Sequence, residues 1–145
     1  MMNKKRVSAK IRRLVTERAE GFCEYCRSNS KFGDSPFDVE HITPESKGGK
    51  TASENIALAC HGCNLFKSNK TESFDETINK MVKLFNPRIN LWREHFVWTS
   101  GYSRVVGLTA VGRATVKALN LNRENLINQR KMLHKYGKHP PDDFS

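Results

Sequence analysis

The sequence predicts an α+β chain: a small core of two short strands and a helix, clamped by four cysteines, between basic helical flanks. Three observations predict it. All four cysteines fall into two Cys-x-x-Cys pairs, Cys23/Cys26 and Cys60/Cys63. Apolar runs of strand length lie between the pairs, and stretches with helical spacing lie outside them. The charge is unevenly spread: 145 residues carry 25 Lys+Arg against 15 Asp+Glu, and the whole net excess of +10 sits in residues 1–20 and 101–145.

With 37% hydrophobic residues and a mean hydropathy of −0.64, the core is modest. Chains of this size with small cores gain from a metal or a disulfide. No apolar run approaches the roughly 20 residues a membrane span needs. The opening Met-Met-Asn-Lys-Lys-Arg leads into a charged segment without the apolar centre of a secretory signal. A membrane protein, a secreted disulfide mini-protein and a largely disordered chain are all poor fits. The expectation is a cytoplasmic, intracellular chain that binds a polyanion, its two basic flanks neutralising phosphates around a neutral centre.

Four stretches are predicted in order: a basic N-terminal helix (1–21), a core with the cysteine knuckles (22–70), an α/β extension (71–139) and a loose tail (140–145). Ser8 is a good N-cap and Gly21 a good stop for the first helix, with Ile11, Leu14, Val15 and Ala19 on its inner face. Phe37 to Ile42 alternates like a strand, Thr43 to Ser53 is a polar loop with Gly48-Gly49, and Ile56 to Ala59 is the returning strand. A short helix follows from about His61 to Asn69. Residues 71–89 match no single pattern. Phe96–Trp98 and Val105–Val106 are expected to pair as strands, Thr109 to cap a helix to about Leu119, and Arg123 to Lys135 to form the last helix. Trp92, Phe96 and Trp98 are expected in the core, and His95, His134 and His139 on the surface.

Two residues between thiolates let both point at one ion about 2.3 Å away, so two such knuckles make a tetrahedral structural zinc site from Cys23, Cys26, Cys60 and Cys63. Two disulfides or a redox Cys-x-x-Cys are the competing readings; neither suits two pairs in a chain without a secretory signal. Thirty-three residues separate the pairs, more than a short zinc ribbon holds, so a functional unit is inserted between the knuckles.

That insertion carries Glu40-His41, Gly48-Gly49, Asn55 before an apolar strand, and then Cys60-His-Gly-Cys63-Asn64-x-x-Lys67. In these residues the chain resembles the HNH endonuclease family, in its zinc-stapled ββα-metal (His-Me finger) branch. Residues 84–123, with Leu-Phe-Asn-Pro-Arg88, Trp92, Gly-Arg-Ala-Thr115 and Leu-Asn-Arg123, look like the C-terminal extension of a bacterial HNH subgroup. Asn64 stands where the family's last motif residue is usually His, and Glu40 where Asp is commoner.

The resemblance implies a metal-dependent hydrolase of DNA, with RNA a further candidate, that leaves a 5′-phosphate and a 3′-hydroxyl. The chemistry needs a deprotonated water and a cation at the phosphoryl oxygens. His41 is the expected general base. Glu40 and Asn64 are expected to offer hard oxygen ligands to Mg²⁺ or Mn²⁺, with His41 at the same metal site. Lys67, at i+3 from Asn64, is expected on the scissile phosphate, and by resemblance Asn55 braces the loop that orients His41. The alternative is a non-catalytic zinc module that binds nucleic acid without cutting it.

Overall fold

A computed structural model describes residues 7–99 and 101–142. The basic residues Lys4, Lys5 and Arg6 and the end of the expected tail, 143–145, lie outside the described residues.

Helix α1 spans Ala9–Arg18. The Ser8 hydroxyl accepts the Ile11 N–H at 3.2 Å, which satisfies one of the free donors of the first turn. At the other end Gly21, at φ +77°, returns its N–H to the Thr16 carbonyl and ends the helix. The row Ile11, Val15, Ala19 faces Ile56 and Leu58. Leu14 does not join it: at 52% exposure it lies beside the seam, because one helical step is about 100°. Two flank cations hold α1 in place. Arg12 donates to the Phe37 carbonyl at 3.0 Å, and Arg18 donates to the carbonyls of Ser53 and Ile56 at 3.0 and 2.6 Å.

Strand β1 (Asp38–His41) pairs antiparallel with β2 (Ile56–Ala59), from Asp38 opposite Ala59 to His41 opposite Ile56. Every residue of β2 is buried. Helix α2 (His61–Lys67) follows directly and packs on both strands. The first knuckle is sewn to β2 by Glu24, whose N–H donates to the Leu58 carbonyl while its carboxylate accepts the Leu58 N–H, both at 2.9 Å. This places Cys23 and Cys26 beside Cys60 and Cys63.

The unassigned stretch 71–89 contains a hairpin, β3 (Glu72–Asp75) and β4 (Lys80–Lys83). Helix α3 (Trp92–His95), the ribbon β5 (Phe96–Trp98) with β6 (Val105–Gly107), and helices α4 (Ala110–Ala118) and α5 (Glu124–Lys135) complete the chain. The Thr109 hydroxyl caps α4 by accepting the Gly112 N–H at 3.0 Å. One buried cluster joins the four cysteines, Tyr25, Ala57 and Ala59 to Phe85, Trp92, Phe96, Leu119, Leu121 and Leu126. The extension therefore shares its core with the knuckles.

Two surface expectations are corrected. His139 is only 7% exposed, its ring edge-on to Trp98 at 4.6 Å with Nε2 against the Tyr102 carbonyl. His95 is half-buried against Phe85 and bonds Thr109. In the described part of the expected tail, Pro140 and Pro141 are half-buried and line a hollow beside Trp92 and Trp98. No helix among the described residues is long and apolar enough to cross a membrane.

Candidate functional site

The four cysteines are buried and unpaired, and their sulfur atoms all lie within 4.8 Å of one another. Cys26 and Cys60 sulfurs are 3.7 Å apart. Four arms of about 2.3 Å around a tetrahedral ion set sulfurs roughly 3.8 Å apart. A disulfide needs about 2.05 Å. The donor set and its spacing fit a structural metal ion such as zinc, and they do not fit two cystines.

Beside this clamp, the end of β1 and the helix α2 enclose a cleft of about 370 Å³, lined by Val39, Glu40, His41, Pro44, Glu45, Asn64, Leu65 and Ser68 among others. His41 and Asn64 thus border one hollow. His41 is half-buried, and its Nε2 lies 2.8 Å from the Thr51 hydroxyl. Asn64 places its amide nitrogen 3.0 Å from the Asp38 carboxylate. A carboxylate only accepts, so the amide N–H₂ faces Asp38 and the amide oxygen faces away from it. The same Asp38 oxygen is 3.1 Å from Nδ1 of the exposed His61.

Asn55 ties the end of β1 to the loop that follows it. Its side chain accepts the Thr43 N–H at 2.8 Å and donates to the carbonyls of Thr43 and Lys50, both at 2.9 Å. Its backbone carbonyl accepts the Ile42 N–H at 2.8 Å. Gly49 is required here for space: an added Cβ would sit 1.7 Å from the Thr43 carbonyl oxygen and 2.8 Å from the Asn55 amide nitrogen.

Glu40 and Lys67 depart from expectation. Strand alternation turns His41 outward and Glu40 inward. Glu40 is 3% exposed; its carboxylate accepts the Tyr25 hydroxyl at 2.7 Å and meets the Lys67 ammonium at 2.5 Å. Lys67, in the last turn of α2, runs its stem under the end of β1 and donates to the Ile42 carbonyl at 2.9 Å. At 1% exposure it cannot reach a phosphate, and that expected contact is withdrawn. Glu40 is equally no open ligand, since its charge is already matched. Burial pushes the Glu40 carboxyl above its ordinary range, against the opposing pull of Lys67 and Tyr25. Burial, with Glu40 beside it, raises the Tyr25 hydroxyl further still.

Sequence reasoning missed Asp38, Thr51, Tyr25 and Arg123. Asp38 had a signal, two residues before Glu40 on an alternating strand. Arg123, whose guanidinium lies 3.4 Å from the Cys60 sulfur, is sixty-odd residues from its partners and had none beyond its motif.

The clamp, the strand pair and the helix define the class of this segment. Residues 23–70 match the HNH endonuclease family. The chain is also similar to the type IV methyl-directed restriction enzyme EcoKMcrA of Escherichia coli (strain K12), 21% identical over 84 residues, which are 55% of this chain and 28% of that enzyme. It therefore spans well under a third of that relative's length. No solved structure matches the chain significantly.

Proposed function

We propose that this chain is a divalent-metal-dependent endonuclease that hydrolyses phosphodiester bonds in DNA, with His41 as general base. The observation that carries the reading is the cleft shared by His41 and Asn64 inside the segment that matches the HNH family. Similarity to a restriction enzyme supports DNA as the substrate.

In this reading the Nε2–H of His41 donates to Thr51, which fixes the tautomer and leaves Nδ1 to take a proton from the attacking water. Asn55 and Gly49 hold the loop that carries Thr51, so the imidazole meets its substrate without reorganising. Asp38 holds the Asn64 amide nitrogen, which leaves the amide oxygen free of Asp38 to meet a ligand. A divalent ion such as Mg²⁺ or Mn²⁺ would supply Lewis-acid stabilisation of the charge that develops on the phosphoryl and leaving oxygens. Asn64 would hold it through its amide oxygen, and Glu40 would join by exchanging Lys67 for the ion. Zinc at the four cysteines would have a purely structural part.

The test is relaxation of supercoiled plasmid with Mg²⁺ or Mn²⁺. The wild type is expected to nick, His41→Ala to lose about 10²-fold or more, and Thr51→Val to lower the rate. Nicking by His41→Ala at the wild-type rate sinks the assignment. The sealed Glu40–Lys67 pair favours one second reading, a zinc module that binds DNA without cutting it. It predicts salt-sensitive binding with no nicking in any divalent ion.

A further inference from the structure

The motif Leu121-Asn122-Arg123 in the extension takes no part in the cleft, yet each of its residues is fully engaged. Leu121 is buried in the shared core. The Asn122 side chain accepts the Val105 N–H and donates to the Val105 carbonyl, both at 2.8 Å. Arg123 begins the turn into α5 and reaches the knuckles. Its Nη2 lies 3.4 Å from the Cys60 sulfur and 3.6 Å from Cys63, and its Nη1 3.7 Å from Cys63. Nη1 also donates to the carbonyls of Leu119 and Asn120 at 3.2 and 3.3 Å, at the end of α4. The guanidinium lies over Phe66 at 5.5 Å, and a Cβ on Gly62 would stand 2.5 Å from Nη2. Position 62 is thus small so that this cation can lie against the second knuckle.

Four thiolates around one divalent ion leave a net charge of about −2 in a buried place. Such a charge is costly unless a cation or hydrogen bonds meet it. We propose that Arg123 is the counter-charge of the metal–thiolate cluster, so that the extension, rather than the HNH segment alone, sets how tightly the chain holds its structural metal. Arg123 suits the task because its planar head offers several N–H donors in fixed directions and stays charged. Loss of an outer partner of this kind typically weakens a metal site about 10–100-fold.

The proposal rests on the metal reading of the four cysteines, and the experiment separates the two. The full chain is loaded with Zn²⁺, its metal content is measured, and a chromophoric chelator then competes for the ion. Wild type is expected to hold one zinc per chain, Arg123→Met to release it at about 10–100-fold lower chelator concentration, and Arg123→Lys to fall between. Asn122→Ala, which loosens the same segment without touching the sulfurs' charge, is expected to stay near wild type. Circular dichroism of the zinc-loaded variants checks that each is folded. Co²⁺ substitution adds a spectroscopic readout, with a thiolate-to-metal band that moves in Arg123→Met and not in Asn122→Ala. Equal zinc retention by wild type and Arg123→Met overturns the counter-charge, as does equal weakening by Asn122→Ala. A wild type without bound metal removes the zinc reading and this proposal together.

Discussion

Five of the arginines that give the flanks their charge are committed to the fold. Arg12 and Arg18 fasten α1 to the strand pair. Arg113 forks onto Asp75, Arg123 meets the cysteine sulfurs, and Arg130 donates to the carbonyls of Ser103 and Leu121. Net charge still favours a polyanion at long range, but a count of Lys and Arg overstates how many groups can neutralise a phosphate. Lys67 is the sharpest case. Its pair with Glu40 is sealed, with side-chain exposures of 2% and 3%. Removing one partner of such a pair leaves an uncompensated buried charge, which typically costs about 3–5 kcal/mol. Lys67→Met is expected to lose stability of that order in urea denaturation. The double change Lys67→Met/Glu40→Gln should recover most of it, because no lone charge then remains. If the single and double variants are equally unstable, Lys67 contributes packing rather than charge. A second readout follows from the proposed exchange at Glu40: Mn²⁺ should bind Lys67→Met more tightly than wild type, measured by titration calorimetry.

Among the elements, the hairpin β3–β4 was invisible in the sequence for a physical reason. Its strands are short and mostly exposed, with Phe74 and Met81 on the surface, so no alternation of apolar and polar residues marks them. What holds it is distant in sequence: Asp75 accepts two bonds from Arg113 at 3.0 and 2.9 Å, and Glu76 pairs with Lys117. By contrast α1 and α4 were legible because Ser8 and Thr109 cap them locally, and β1–β2 because a fully apolar return strand follows an alternating one. The candidate site divides the same way. The knuckles, His41 and Asn55 belong to short motifs, whereas the pairing of Lys67 with Glu40, in place of the expected phosphate contact, depended on which way a long stem turns beneath a strand end. The Asp75–Arg113 fork carries a pH signature. Arg113 holds the Asp75 carboxyl below its ordinary value, so as pH falls the unfolded chain takes up this proton first. The stabilisation is full above the ordinary Asp value of about 3.9 and is lost as pH falls through the lower, folded value. Asp75→Asn is expected to lower Tm at neutral pH and to flatten the loss of Tm below about pH 4. An acid limb as steep as wild type would mean that another carboxylate dominates it.

At the scale of the whole molecule, the four-cysteine clamp and the extension share one core. The buried cluster runs without a break from Cys23, Cys26, Cys60 and Cys63 through Tyr25 to Phe85, Trp92 and Phe96, and on to Leu119, Leu121 and Leu126. Trp92 donates its indole N–H to the Tyr25 carbonyl at 2.9 Å, directly between the two cysteines of the first knuckle. Structural zinc sites contribute on the order of 10 kcal/mol to folding, as much as the whole net stability of an ordinary domain. Chelation should therefore unfold the extension along with the knuckles. Both tryptophans of the chain, Trp92 and Trp98, lie in the extension, so their fluorescence reports on it while metal release reports on the clamp. Stepwise chelator addition at constant temperature is expected to give a red shift of emission that tracks zinc release at every step, and heating the zinc-loaded chain a single transition. Zinc leaving at constant tryptophan emission would instead divide the chain into two independent folding units, with the junction near residue 71, where the sequence by itself placed a boundary.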